Sequence, residues 1–205
     1  MSTRTTALFA GMVLWLLTGA GMAASPDMAS ALVKDTSQRM LATLEKRRAE
    51  VDRDPTLIYK LVQEILVPHF DFERITQAAV GRYWTQATPA QQQALTNGFR
   101  ELLIRTYAKA LLRYSGQEIR YLPVRPGSDA SSVTVSSEIV QAGAAPLPID
   151  YKLYLKGGAW KVYDVVIDNV SLVTNYRGSF AAQIRQGGID GLVQRLGEMN
   201  AKGAG

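Results

Sequence analysis

The chain contains no cysteine and a single histidine, His69. The missing thiols exclude disulfide cross-links, metal–thiolate sites and cysteine nucleophiles. The lone histidine lies between Pro68 and Phe70, with no second histidine or paired acid to form a metal cluster or an acid–base relay. No serine sits in a nucleophile elbow, and no glycine pattern suits a phosphate or dinucleotide loop. Internal repeats and low-complexity segments are lacking as well. We therefore expect no catalytic residue, no metal site and no cofactor.

Long apolar runs are also scarce. The run Ala7–Leu17 (ALFAGMVLWLL) falls short of the ~20 residues that a membrane span needs. It follows Arg4 and precedes the small residues Gly21 and Ala23, which is the pattern of a secretory signal peptide cleaved before Ala24. No cysteine follows it, so lipoprotein anchoring is not expected. Residues 1–23 are thus read as a signal peptide and 24–205 as one domain, with a helical part at about 28–115, a sheet at about 118–168 and closing helices at about 172–199. A hydrophobic content of 47% with 20% charged residues is that of a globular chain with a core rather than a disordered one. The formal net charge of +5 suits an anionic membrane surface or an acidic partner. Nucleic acid is disfavoured, because the basic residues are scattered and the chain is exported.

Helical periodicity comes first along the mature chain. Leu32, Val33, Met40, Leu41 and Leu44 recur on one face, and Glu45–Glu50 is a charged, solvated helix end. Asp54-Pro55 restarts a helix that carries Leu57, Ile58, Leu61, Val62, Ile65 and Leu66. Asp71 can cap a short helix closed by Gly81. Thr88, Pro89 and Gln91 form a capping box at the head of a long helix running to about Tyr114. Its broad apolar face includes Phe99, Leu103 and Tyr107.

The period then changes to that of strands. Glu118–Leu122 and Ser132–Val140 read as two, and Ile149–Lys156 alternates before Gly157-Gly158, a dipeptide suited to a two-residue hairpin loop. With that loop, Leu155 faces Trp160, Leu153 faces Val162, Tyr151 faces Asp164 and Ile149 faces Val166. One face of the hairpin then carries Tyr151, Leu153, Trp160, Val162, Asp164 and Val166. Ser171 or Asp168 can cap a helix after it, and two final helices, Val173–Arg185 and Ile189–Met199, are split by Gly187-Gly188. Helices, then an antiparallel meander, then helices argue an α+β fold with helices on a small twisted sheet. Asp164 is the one polar residue on the inner face. It either accepts a hydrogen bond from Tyr151 or a backbone amide, or it serves as the base of a small isomerase or hydratase.

Three stretches carry a family resemblance. WKVYDVVIDNVSLVTNYRGSF, FDFERITQAAVGRYWTQATPAQQQALTNGFRELLIRTYAKAL and the closing QGGIDGLVQRL resemble the MlaC family of toluene-tolerance proteins, in the same order and over nearly all of the mature chain. The resemblance implies a nuclear-transport-factor-like twisted antiparallel sheet of about four strands packed with helices, plus an N-terminal helical part. It also implies a periplasmic phospholipid carrier, working between an outer-membrane lipoprotein–porin complex and an inner-membrane ABC transporter complex to maintain outer-membrane lipid asymmetry. In the family, the space between sheet and helices is a slot for acyl chains. Carried onto this sequence, that slot has Tyr151, Leu153, Trp160, Val162 and Val166 on the sheet side and Phe99, Leu103 and Tyr107 on the helix side. A two-tailed lipid calls for the upper end of the ~300–1,000 Å³ of ordinary pockets, or beyond. A monomer is expected, with phospholipid as cargo and Arg177 as a candidate contact to the partner complexes. The alternatives are a carrier of another lipid, such as a hopanoid, and the Asp164 isomerase.

The targeting signal predicts that mature protein recovered from the periplasm begins at or close to Ala24 and needs no detergent. N-terminal sequencing checks this, and an intact N-terminus held by the membrane after a high-salt wash contradicts it.

Overall fold

A computed structural model describes residues 25–129, 131–141 and 143–202; the proposed signal peptide and its cleavage site lie outside them. Helix α1 (Pro26–Lys46) starts on a proline at its first position, and α2 (Arg48–Arg53) follows after Arg47 leaves the helical conformation. The charged run between them is solvated and internally paired, Arg47 to Glu50 at 2.7 Å and Arg48 to Asp52 at 3.1 Å. Helix α3 (Leu57–Ile65) leads through a 3₁₀ turn (Val67–His69) to α4 (Phe72–Val80), and a second 3₁₀ segment (Gly81–Gln86) leads to α5 (Pro89–Leu111). The Thr88 capping box forms as the sequence predicts. The Thr88 hydroxyl accepts from the Gln91 amide, while the Gln91 side chain accepts from the Thr88 amide.

The strands are β1 (Glu118–Tyr121), β2 (Arg125–Pro126), β3 (Ser132–Val140), β4 (Leu147–Lys156), β5 (Ala159–Ile167) and β6 (Val170–Ser171). The two-residue strands β2 and β6 carry too little pattern to be read from the sequence. The sheet is antiparallel in the order β1-β3-β4-β5-β6, with β2 also on β3. The final helix, α6 (Leu172–Lys202), is interrupted at Gly188, where φ is +69°. It crosses α5 closely: a Cβ at Gly98 would lie 3.1 Å from the Leu196 Cβ, so a side chain there would force the helices apart. The architecture is α+β, as expected.

The hairpin register holds only next to its loop. Gly157 and Gly158 adopt φ of +57° and +81°, and Leu155 pairs with Trp160 and Leu153 with Val162. Tyr151, however, pairs with Val165 and not Asp164, and Ile149 pairs with Ile167 and not Val166. A β-bulge causes this: β5 inserts Tyr163 between the partners of Leu153 and Lys152, and alternation beyond an inserted residue reverses. Val165 and Ile167 thereby join the apolar face with Ile149 and Tyr151, while Val166 pairs with Asp150.

Three apolar clusters result. One joins α4, α5 and α6 through Ile75, Phe99, Leu103, Phe180, Leu192 and Leu196. A second joins α1, α2, α3 and α5 through Met40, Leu44, Val51, Ile58, Leu61 and Ile104. The third packs Ala29 and Val33 of α1 on Val133, Val135, Leu153, Trp160, Val162 and Val165 of the sheet.

On the other side of the sheet, Asp71 ties α4 to the hairpin. Its amide donates to the Val162 carbonyl at 2.9 Å, which occupies the β5 edge that β6 is too short to cover. Its carboxylate caps α4 by accepting from the Arg74 amide at 3.1 Å, and it also accepts from Lys156 Nζ at 2.7 Å and from the Tyr154 hydroxyl. Arg74 lies over the Tyr154 ring, 3.7 Å from its centroid. Burial opposes ionisation of Asp71, but the hydrogen bonds from Lys156, Tyr154 and Arg74 outweigh it and hold the carboxyl below its ordinary value.

A carboxyl with a lowered folded pKa adds stability above its unfolded value, about 3.9, and loses it as pH falls through the folded value. Asp71→Asn should therefore cost about 1–3 kcal/mol at neutral pH. Urea unfolding of both proteins from neutral pH down into acid checks this. The gap between their midpoints should narrow below about pH 4.

Candidate functional site

The three apolar clusters do not merge into one core. Between them lies a cavity of about 550 Å³, and each cluster contributes to its wall: Ile75 and Leu103 from the first, Met40, Val62 and Ile104 from the second, Val33, Val162 and Val165 from the third. The helical spacing of Leu32, Val33, Thr36, Met40 and Leu41 turns one face of α1 to the cavity, while Leu66 and Val67 line it from the end of α3. The sheet supplies Ile119, Ile139, Leu147, Ile149, Tyr151 and Ile167.

Of the sequence-predicted residues, the structure brings Leu103, Tyr107, Tyr151 and Val162 together on this cavity. Phe99 does not reach it. Fully buried one helical turn before Leu103, it packs edge-on against Tyr176 and Phe180 at ring-centroid distances of 5.0 and 4.9 Å. Only the C-terminal half of α5 faces the hollow, because its first half is packed between α4 and α6. Leu153 and Trp160 sit in the solid core under the start of α1, where the Trp160 indole donates to the Ser25 carbonyl at 3.1 Å. Val166 is outside the wall because of the bulge. The α1 residues were legible as an apolar face, but nothing in one helix says whether its face meets a core or a hollow.

Polar groups in the wall are few and mostly engaged. Asp164 is 5% exposed, and its carboxylate accepts from Lys152 Nζ at 3.0 Å, from the Ser171 hydroxyl at 2.8 Å and from the Val173 amide at 3.3 Å. The Ser171 hydroxyl in turn accepts from the Thr174 amide at 3.1 Å. Both residues thus cap α6, and Asp164 bonds to a backbone amide rather than to Tyr151 as a hydrogen-bond partner. A cation, a hydroxyl and an amide thus take three of the carboxylate's roughly four acceptor sites and tie it to the sheet and to the first turn of α6. Burial raises the pKa of the Tyr151 and Tyr107 hydroxyls, which stay neutral. His69 borders the cavity, and burial together with Lys161 and Arg39 lowers its pKa, so it too is neutral at neutral pH. Among the described residues, no cluster of three or more His, Cys, Asp or Glu could hold a metal ion. No described helix is long and apolar enough to cross a membrane.

Arg177, the candidate partner contact, is exposed. Its Nε and one terminal nitrogen donate to the Ala78 carbonyl at 3.1 and 2.9 Å, which ties α6 to the end of α4.

Comparison with known proteins bears on this geometry. The chain is 26% identical over 168 residues to the intermembrane phospholipid transport system binding protein MlaC of Haemophilus influenzae, covering 80% of this chain and 78% of the relative. It is 28% identical over 160 residues to the toluene tolerance protein ttg2D of Pseudomonas putida, covering 78% and 74%. Its fold superposes with a TM-score of 0.79 and 40% identity on a phospholipid-binding protein from Ralstonia solanacearum, solved in complex with a phospholipid; the match covers 86% of this chain and 99% of that one. The first and third of these are named as binding proteins, and none of the three is named as an enzyme. The model of the MlaC protein family matches residues 34–198, most of the described structure and every element that lines the cavity, and the chain belongs to that family.

Proposed function

We propose that this protein is a carrier of phospholipid, which holds acyl tails in the cavity between sheet and helices and leaves the head group at its rim. The single observation that carries this reading is the apolar hollow itself, at the junction of three clusters that would otherwise close on one another. An empty cavity of about 550 Å³ would forfeit at most about 13 kcal/mol of packing at ~24 cal/mol per Å³. That is comparable with the whole net stability of a domain, about 5–15 kcal/mol. A wall of this kind is stable when something apolar fills it. Each methylene transferred from water contributes about 0.8 kcal/mol, so ten of them supply about 8 kcal/mol without any directional contact. The relative solved with a phospholipid shares this fold, which supports the same class of cargo here.

The volume lies in the middle of the ordinary pocket range, below what a two-tailed lipid held whole calls for. Tails inside and head group outside reconcile the two. We further read the protein as a periplasmic monomer without a cofactor, which collects phospholipid from an outer-membrane lipoprotein–porin complex and hands it to an inner-membrane ABC transporter complex. Transient docking of this kind suits the basic balance of the chain, and exposed Arg177 is a proposed contact.

Native mass spectrometry after mild extraction should show adducts of phospholipid mass; adducts of hopanoid mass would assign a different lipid. Leu103→Trp and Ile149→Trp, both in the cavity wall, should lower the adduct several-fold while costing less than the ~1–3 kcal/mol of overpacking a filled core. Delipidation should lower the melting temperature, because cargo binds the folded state alone. Protein that is consistently lipid-free and takes up no phospholipid from vesicles defeats the reading.

A further inference from the structure

The carrier reading says where tails go and leaves the head group unassigned. The cavity wall ends, at the C-terminus of α5 and the nearby ends of β1, β3 and β4, in a rim that includes Arg113, Tyr114, Gln117 and Gln141. Two of these are already engaged. The Tyr114 hydroxyl donates to the Gln117 carbonyl at 3.2 Å, and the Gln117 amide exchanges hydrogen bonds with Ser115. Arg113 is different. It is the one Lys or Arg among the described residues of the wall, and it forms no ion pair or side-chain hydrogen bond with them. Neighbouring arginines are matched: Arg105 to Glu101 at 2.7 Å, Arg48 to Asp52 at 3.1 Å and Arg120 to Glu138 at 3.5 Å.

Its seat is fixed. The turn that follows α5 is closed by hydrogen bonds from the Arg113 amide to the Ala110 carbonyl and from the Tyr114 amide to the Leu111 carbonyl, and Arg48 of α2 donates to the Tyr114 carbonyl at 3.2 Å. The remaining charge in the wall is cancelled or absent: Lys152 matches Asp164, and His69 is neutral. Exposed Arg113 is thus a cation without a matching acid among the described residues, at the end of an apolar slot where a lipid with buried tails must carry its phosphodiester. Arginine's planar fork fits phosphate oxygens bidentately, and it is the residue type suited to that task.

We infer that Arg113 is a specificity-determining residue that binds the phosphate of the lipid head group at the cavity rim. This rests on the carrier reading. It makes the protein selective for phosphate-bearing lipids over neutral lipids with the same tails, and tolerant of what lies beyond the phosphate.

The test uses delipidated mature protein and two kinds of phosphatidylcholine vesicle, one carrying labelled phosphatidylglycerol and the other labelled diacylglycerol with the same acyl chains. Arg113→Gln should retain about five- to tenfold less phosphatidylglycerol than wild type, the loss of one charge-assisted contact, with diacylglycerol uptake and the melting temperature unchanged. Arg113→Lys should recover part of the loss, because the charge returns without the fork. Equal loss of both lipids would mean that Arg113 acts through packing, and no loss of either that it is idle; each overturns the inference and leaves the carrier reading standing. Tight binding of inorganic phosphate by the delipidated wild type, undiminished by lipid loading, would make this a free-anion site and overturn it too. Wild-type protein that takes up neither lipid overturns the carrier reading, and this inference with it.

Discussion

Two buried carboxylates, one on each side of the β-bulge at Tyr163, fix the helices to the sheet. Asp164 reaches out of β5 to the first turn of α6, and Asp71 reaches from the cap of α4 to the far end of β4. Each is buried and each is met by a lysine, so neither leaves an uncompensated charge. The bulge lets both ties coexist with an apolar inner face. It brings Asp164 to the α6 end of the sheet and returns Val165 and Ile167 to the cavity side. Without it, alternation along β5 would place Asp164 opposite Tyr151 instead of opposite Lys152.

The cavity follows from how those ties distribute the helices. Helices α4, α5 and α6 pack on one another around Phe99, α3 and the rest of α5 pack on α1 around Met40 and Leu44, and the start of α1 packs on the sheet around Val33 and Leu153. Three centres of close packing leave a junction that no side chain is long enough to fill. Close packing therefore resides in the clusters, and the gap between them is the space available to a cargo. Substitutions at Phe99, Leu153 or Trp160 act on the first, whereas Ile149 and Tyr107, half-buried in the wall, act chiefly on the second. The same division lets a chain with no disulfide and no metal cluster among its described residues hold a hollow of this size: each surrounding cluster has its own set of fully or nearly fully buried side chains.

The chemistry of the wall also limits what the protein does. Hydroxyls, one histidine and one acid border the hollow, but burial keeps Tyr107, Tyr151 and His69 neutral, and Asp164 is committed to capping α6. None of them forms a pair with complementary roles of the kind acid–base catalysis uses. The wall is largely apolar, and among the described residues its one lysine or arginine, Arg113, lies at the rim.

Much of the fold was legible in the sequence. The Thr88–Gln91 capping box, the Asp71 cap, the Gly157-Gly158 loop and the apolar periods of α1, α3 and α5 are local signals, decided by interactions within a few residues, and a one-dimensional pattern records such interactions directly. The short strands β2 and β6 were not legible, because two residues have no period. Nor was the bulge: Tyr163 is an ordinary strand residue, and it packs with Tyr154 and Arg74, contacts that bring together three segments distant in the chain. Periodicity determined that Leu103, Tyr107, Tyr151 and Val162 turn inward, as do Phe99, Leu153 and Trp160. Only the tertiary structure decided which of them meet other side chains and which meet empty space, because a hydrophobic face is the same sequence whether its partner is a core or a cargo.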